Sequence, residues 1–255
     1  EAIIHNLVEN KPGILWSAMP ASYQKDINDI IRSSIATIDQ NVYDKTLGLV
    51  RKANKILKEK KSFILKYGRD EDIRMSTEDL EEVSRNWDMV TELFGILLSS
   101  QFGTFEAATK FDGGEFLAST GNDLMTKLVA ISALTPENLW VNDILPILKA
   151  IKVKEVSSSE NKTVLEFTDG TGRKDTQNFV KVEGKWIPEN LQSDWASRIE
   201  NIKAEIPNEK TGLEFKMSAL MFIGMAEGIL NQLDDAKSEE EFLKVLDSLS
   251  NFGAF

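Results

Sequence analysis

Through the first 150 residues, hydrophobic positions recur at helical spacing. Ile27, Ile30, Ile31, Ile35 and Ile38 follow the three-and-four step of one helix face. Pro20 and Ser22 precede them, and the Ser22 hydroxyl suits an N-cap, where it would take a free backbone N–H. A second helix is predicted from Asp39, carrying Val42, Leu49, Val50, Ala53, Ile56 and Leu57. Gly68 to Arg74 reads as a polar connector, and Ser76 opens the clearest helix. Its residues Leu80, Val83, Trp87, Val90, Phe94 and Leu97 form a heptad-like seam. Trp87 and Phe94 are bulky for a narrow coiled coil, so this helix is expected to pack inside a bundle. After Gly113, Gly114 and Gly121, a helix runs through Leu124, Leu128, Ile131 and Leu134. Thr135-Pro136 starts another, lined by Leu139, Trp140, Ile144, Leu145 and Leu148, which Pro146 kinks or ends.

The period changes after Ala150. Ile151 to Val156, Thr163 to Phe167 and Phe179 to Val182 are short runs rich in β-branched and aromatic residues. Turn residues separate them at Ser157–Asn161, at Asp169-Gly170 with Gly172, and at Glu183-Gly184. An alternation of two places Val180, Val182 and Trp186 on one face, provided Gly184 adds no bulge. Helices resume after Pro188 with Trp195, Ile199 and Ile202 on one face, and Pro207 to Gly212 breaks the chain. A Met-rich helix with Met217, Met221 and Met225 follows, and Ser238-Glu239-Glu240-Glu241 opens the last helix. No repeat of fixed period is present.

These elements specify an α+β fold that is mostly α. It is a multi-helix bundle with a small three- to four-stranded antiparallel meander inserted before the C-terminal helices. Residues 1–150 form the helical part, 151–188 the meander packed on helices, and 189–255 the helices that return to the bundle. One domain or two is left open.

Composition narrows the chemistry. The 255 residues carry 30 Lys plus Arg against 41 Asp plus Glu, so the net charge is 30 − 41 = −11. Such a surface repels phosphate backbones, and nucleic acid is not expected as a partner. No cysteine is present, which removes disulfides, thiolate nucleophiles and thiolate metal sites. His5 is the single histidine, so a His-based triad or a two-histidine metal site within one chain is not expected. Leu213–Leu233 is the most membrane-like stretch. It contains Glu214, Lys216 and Glu227, each costing about 2.5–3.5 kcal/mol at a span centre. It is therefore read as a buried helix of a water-soluble core. The chain opens on Glu1 rather than Met, so it reads as trimmed: a removed export leader, able to carry a lipid anchor, is the leading expectation, and a cytoplasmic chain cut at another boundary is the alternative.

Several constellations invite chemistry. Arg51, Lys52, Lys55, Lys58, Lys60, Lys61 and Lys66 would make an anion patch, but apolar residues interleave at helical spacing. Pairing with the acidic stretch Asp70 to Glu82 is the expectation. Asp26 with Asp29, Glu78 to Glu82, and Asp234-Asp235 sit where amphipathic helices meet water, so they read as solubilising rather than as acid–base pairs. Asp112-Gly-Gly-Glu115 lacks the ligand alternation of a calcium loop. Asp169-Gly170-Thr171-Gly172 reads as a hairpin turn and not a phosphate cradle. No Gly-x-Ser-x-Gly elbow exists. The methionine stripe is expected in the core. Gly224 and Gly228 suggest a close helix crossing, which Gly224→Leu would overpack by about 1–3 kcal/mol. Asn161-Lys162-Thr163 is a formal glycosylation sequon in a turn.

Two stretches carry a resemblance. Leu15-Trp16-Ser17-Ala18-Met19-Pro20-Ala21-Ser22-Tyr23-Gln24-Lys25-Asp26 resembles the opening of uncharacterised exported proteins from bacteria. Phe179-Val180-Lys181-Val182-Glu183-Gly184-Lys185-Trp186-Ile187-Pro188 resembles a closing strand of the small β units of many bacterial lipoproteins. The resemblance implies a place outside the cytoplasm, periplasmic or membrane-anchored, and transfers no catalytic residue.

The expected function is non-enzymatic binding of a protein partner or a small ligand outside the cytoplasm, in a helix–sheet cleft lined by Trp140, Trp186, Trp195, Met217 and Met221. No catalytic residue, metal or cofactor is assigned. The alternatives are an interaction scaffold using the 80–97 seam, and a hydrolase working through carboxylates.

Overall fold

The computed structural model describes residues 2–67, 76–134, 146–207 and 212–250. The connector at Gly68–Arg74, the cap at Thr135 and the face carrying Trp140 lie outside the described residues. In chain order the helices are α1 (Ala2–Val8), α2 (Gly13–Ala18), α3 (Ala21–Ala36), α4 (Gln40–Glu59), α5 (Lys61–Tyr67) and α6 (Thr77–Ser99). A 3-10 turn at Gln101–Gly103 precedes α7 (Phe105–Thr109), α8 (Gly113–Ala118) and α9 (Thr120–Leu134). Strands β1 (Lys152–Ser158), β2 (Lys162–Thr168), β3 (Lys174–Val182) and β4 (Lys185–Pro188) follow, then α10 (Glu189–Glu205), α11 (Leu213–Asp235) and α12 (Glu239–Ser250). The fold is α+β and mostly α, with one four-stranded antiparallel sheet before the C-terminal helices. The chain forms two compact units, each from two segments: 1–37 with 106–208, and 38–105 with 209–255.

The first unit holds the sheet, a meander of order β1-β2-β3-β4. Its turns follow from local chemistry. Asp169 Oδ1 accepts from the backbone N–H groups of Thr171 (2.9 Å) and Arg173 (3.0 Å), while Gly172 takes φ 85°. Glu183 (φ 48°) and Gly184 (φ 78°) form a two-residue turn with both positions left-handed, the geometry that suits a twisted hairpin. Val156 bulges out of β1, since the register shifts between Glu155 and Ser157.

That two-residue turn corrects the expected face of Trp186. It pairs Val182 with Lys185, Val180 with Ile187, and Lys181 with Trp186. Directly paired residues share a face, so Trp186 lies with Lys181, opposite to Val180 and Val182. Counting by twos fails because the chain reverses at 183–184. Ile187 is buried, whereas Trp186 is 40% exposed.

Polar contacts join the helices of this unit. The Asp112 side chain caps α8 by accepting from Glu115 N–H (3.0 Å). Asn28 Oδ1 accepts from Gly113 N–H (2.9 Å), and Arg32 Nε donates to Phe111 O (2.7 Å). Gly113 lies against the Trp16 ring, where an added Cβ would come within 2.4 Å of Cζ3.

In the second unit Asp39 caps α4, accepting from Asn41 N–H and Val42 N–H (3.0 and 3.3 Å). Ser238 Oγ accepts from Glu241 N–H (3.2 Å) and Glu241 accepts from Lys237 N–H (2.8 Å), so two backbone N–H groups are satisfied where α12 starts. The core gathers Ile56, Leu233, Ala236 and Phe242. The basic segment is spent here. Lys55 pairs with Asp234 (2.9 Å), Lys66 with Glu239, and Lys60 donates to Ala236 O at the end of α11. Among the described residues its partners thus lie mainly on the C-terminal helices, with Lys61 to Asp88 (3.5 Å) on α6.

Two expectations about helix faces are corrected in this unit. On α6, Leu80 is buried and Trp87 Nε1 donates to Leu57 O (2.7 Å), but Val83, Val90, Phe94 and Leu97 are exposed. Asn86 and Thr91 take the buried positions instead. On α11, Ile223 and Leu233 are buried, while Met217 and Met221 are 63% and 68% exposed. The methionine stripe is not core, and α11 is not a fully buried helix. Nor do Gly224 and Gly228 mark a close crossing among the described residues, because none of these lies within 4 Å of a Cβ added at either. Gly224→Ala is therefore expected to stabilise by about 0.5–1 kcal/mol, since alanine restricts the unfolded chain and suits a helix. Urea denaturation reads this; a destabilised variant would mean that a neighbour occupies the space.

Candidate functional site

β2 supplies the floor of the candidate site. Thr163, Leu165 and Phe167 alternate by two and so project to one face. The register adds neighbours on that same face: Val153 opposite Phe167, Glu155 opposite Leu165, and Phe179 opposite Thr163. Trp186 joins from β4. With Ile3 and Ile4 of α1 and Ser158, these side chains line a pocket of about 430 Å3. That volume falls in the range of small-molecule sites, which are mostly apolar with few polar groups. The Phe167 and Phe179 rings lie 6.3 Å apart at 38°, and Lys181 Nζ sits over the Trp186 ring at 5.6 Å. Glu155 is the one ionisable side chain in the lining, and among the described residues its carboxylate makes no hydrogen bond or ion pair.

The other predicted site residues are elsewhere. Trp195, on α10, stacks on Tyr23 of α3 with centroids 3.9 Å apart and planes within 4°. Its Nε1 donates to Asp26 Oδ2 (3.1 Å), and Lys203 Nζ reaches Asp26 Oδ1 (3.0 Å). This is a clamp between two helices. Trp186 is in the pocket, Trp140 lies outside the described residues, and Met217 and Met221 belong to the second unit. The sequence reading missed Ile3, Ile4, Val153, Leu165, Phe167 and Phe179; the alternation in 163–167 was the available signal.

Ser22 is expected to cap α3, yet the helix already begins at Ala21, with Pro20 in the cap position. The cap comes from the β3–β4 turn instead. The Glu183 carboxylate accepts from Ser22 N–H (3.1 Å), and the Ser22 hydroxyl and backbone hold its pKa down. Lys162 and Asn178 do the same for Glu189 at the start of α10. For Asp26, burial favours the neutral acid, but hydrogen bonds from Lys203 and Trp195 outweigh it and lower the pKa. Each depressed carboxylate stabilises the fold fully above the ordinary carboxylate range, about pH 4–4.5, and that stability is lost as pH falls through the folded value. The melting temperature is thus expected to drop below about pH 4.5, with part of the drop absent in Glu183→Gln. A flat profile between pH 5 and 3 would contradict the clamp.

Among the described residues no group of three or more acidic or histidine side chains is placed to hold a metal ion, and no helix is long and apolar enough to cross a membrane. No family model, curated protein or solved structure matches the chain.

Proposed function

We propose that this chain is a non-enzymatic bacterial binding protein, acting outside the cytoplasm, that holds a small apolar ligand on the half-buried sheet face beside Trp186. The observation that carries this is the pocket itself: aliphatic and aromatic side chains from all four strands and α1 meet there around about 430 Å3. Leaving such a surface wet is unfavourable, and burying it on a ligand gains about 25 cal/mol per Å2. The non-enzymatic part rests on the carboxylates. Asp26, Asp39, Glu183 and Glu189 are held ionised by amines or N–H donors, whereas a general acid needs its pKa raised. Placement outside the cytoplasm rests on the resemblance at Leu15–Asp26 and at Phe179–Pro188, the second of which forms the β3–β4 hairpin.

Titration with decanol, followed by calorimetry, tests the pocket. Saturable binding is expected, and Trp186→Ala should weaken it about tenfold, the size expected for removing an aromatic contact residue. Decanol that fails to bind, or that binds Trp186→Ala equally well, would remove the proposal.

A second reading has its own observation. Val83, Val90, Phe94 and Leu97 are exposed on α6 at heptad-like spacing, which suits pairing with the same seam of a second copy. Light scattering reads it: a dimer that becomes monomeric in Phe94→Glu supports the scaffold, and a strict monomer removes self-pairing.

A further inference from the structure

The charge of the pocket says which end of an amphiphile it takes. We infer that the ligand is a single-chain amphiphile with a cationic ammonium head, its head at Glu155 on β1 and its tail crossing β2 and β3 toward Trp186 on β4. This rests on the proposed apolar site and adds the ligand's chemical class.

Glu155 is at one edge of the sheet and Trp186 at the other. Three inter-strand steps of about 4.8 Å separate them, about 14 Å in all. The face between is apolar, with Leu165, Phe167 and Phe179 in its middle. A chain that lies along these rings buries its methylenes, and its head then emerges at an edge. At the β1 edge the head meets Glu155, whose carboxylate no described residue neutralises. The bulge at Val156 turns β1 beside it and leaves Glu155 exposed. Next to the β4 edge the cation on the same face, Lys181 of β3, already has the Trp186 ring beneath it. A carboxylate head would therefore find repulsion at Glu155 and a cation already engaged at Lys181. The net charge of −11 adds to the preference for a cation at long range.

The test compares decylammonium, decanol and decanoate, each below its micelle concentration, by calorimetry at low salt. Decylammonium should bind about fivefold tighter than decanol, the size expected of a partly exposed ion pair, and decanoate weaker than both. In Glu155→Gln the margin between amine and alcohol should close, and added salt should narrow it in the original chain. Equal affinities for amine and alcohol would overturn the head-group assignment while the apolar site stands. Tighter binding of decanoate, lost in Lys181→Gln, would reverse the ligand's charge and also overturn it. Failure of all three to bind would remove the site along with the inference.

Discussion

Phe242→Ala is expected to destabilise the protein by about 3–5 kcal/mol, the range for deleting a fully buried aromatic ring. Phe242 is 1% exposed and sits where α12 meets α4, α5 and α11. Its ring lies 5.7 Å from that of Phe63, and Ile56, Leu233 and Ala236 complete the buried cluster. The neighbours come from four helices, so none can move into the void without leaving its own partners. The cost includes both the lost transfer energy and the cavity left behind. Urea denaturation measures it. A loss below about 1 kcal/mol would mean that the site collapses freely, contrary to close packing.

Gly103→Ala is expected to cost about 3 kcal/mol, the upper part of the range for overpacking. A Cβ at position 103 would lie 2.1 Å from Leu98 O and 3.0 Å from Leu98 C. Those are backbone atoms at the end of α6, so a side-chain rotation cannot relieve the clash. The loop is also fastened from outside. Arg51 donates to Gly103 O, and Tyr43 Oη donates to Phe102 O at 2.8 Å. Moving the loop to make room breaks those bonds, and keeping them retains the clash. Thermal and urea unfolding should both register the loss. A variant as stable as the original would show that the loop has slack.

The parts of the fold that were legible in the sequence are those that local chemistry decides. Asp39 caps α4 and Ser238 with Glu241 starts α12, because a short polar side chain reaches N–H groups two or three residues on. Asp169 to Gly172 and Glu183-Gly184 turn the chain because the Asp169 carboxylate takes the N–H groups of its own turn and Gly172 and Gly184 adopt positive φ without strain. The illegible parts depend on what another segment contributes. The α3 cap comes from Glu183, 161 positions away from Ser22. The face of Trp186 hinges on whether two or three residues make the turn. The apolar side chains of α6 and α11 follow helical spacing, yet several point outward, since spacing fixes a stripe and not what covers it. The candidate site was half legible for the same reason. Trp186 stands out as an aromatic residue in a strand, whereas Leu165 and Phe167 look like ordinary strand core, and only the register and α1 bring them round one pocket.

The central claim is that the sheet face beside Trp186 is where this protein takes its ligand. Two-dimensional NMR during a decylammonium titration tests it most directly, with indole N–H and methyl signals assigned. The account predicts that the Trp186 indole and the Val153 and Leu165 methyls shift together and saturate, while the Met217 and Met221 methyls stay still. Shifts confined to the methionines of α11, or none that saturate, would contradict it.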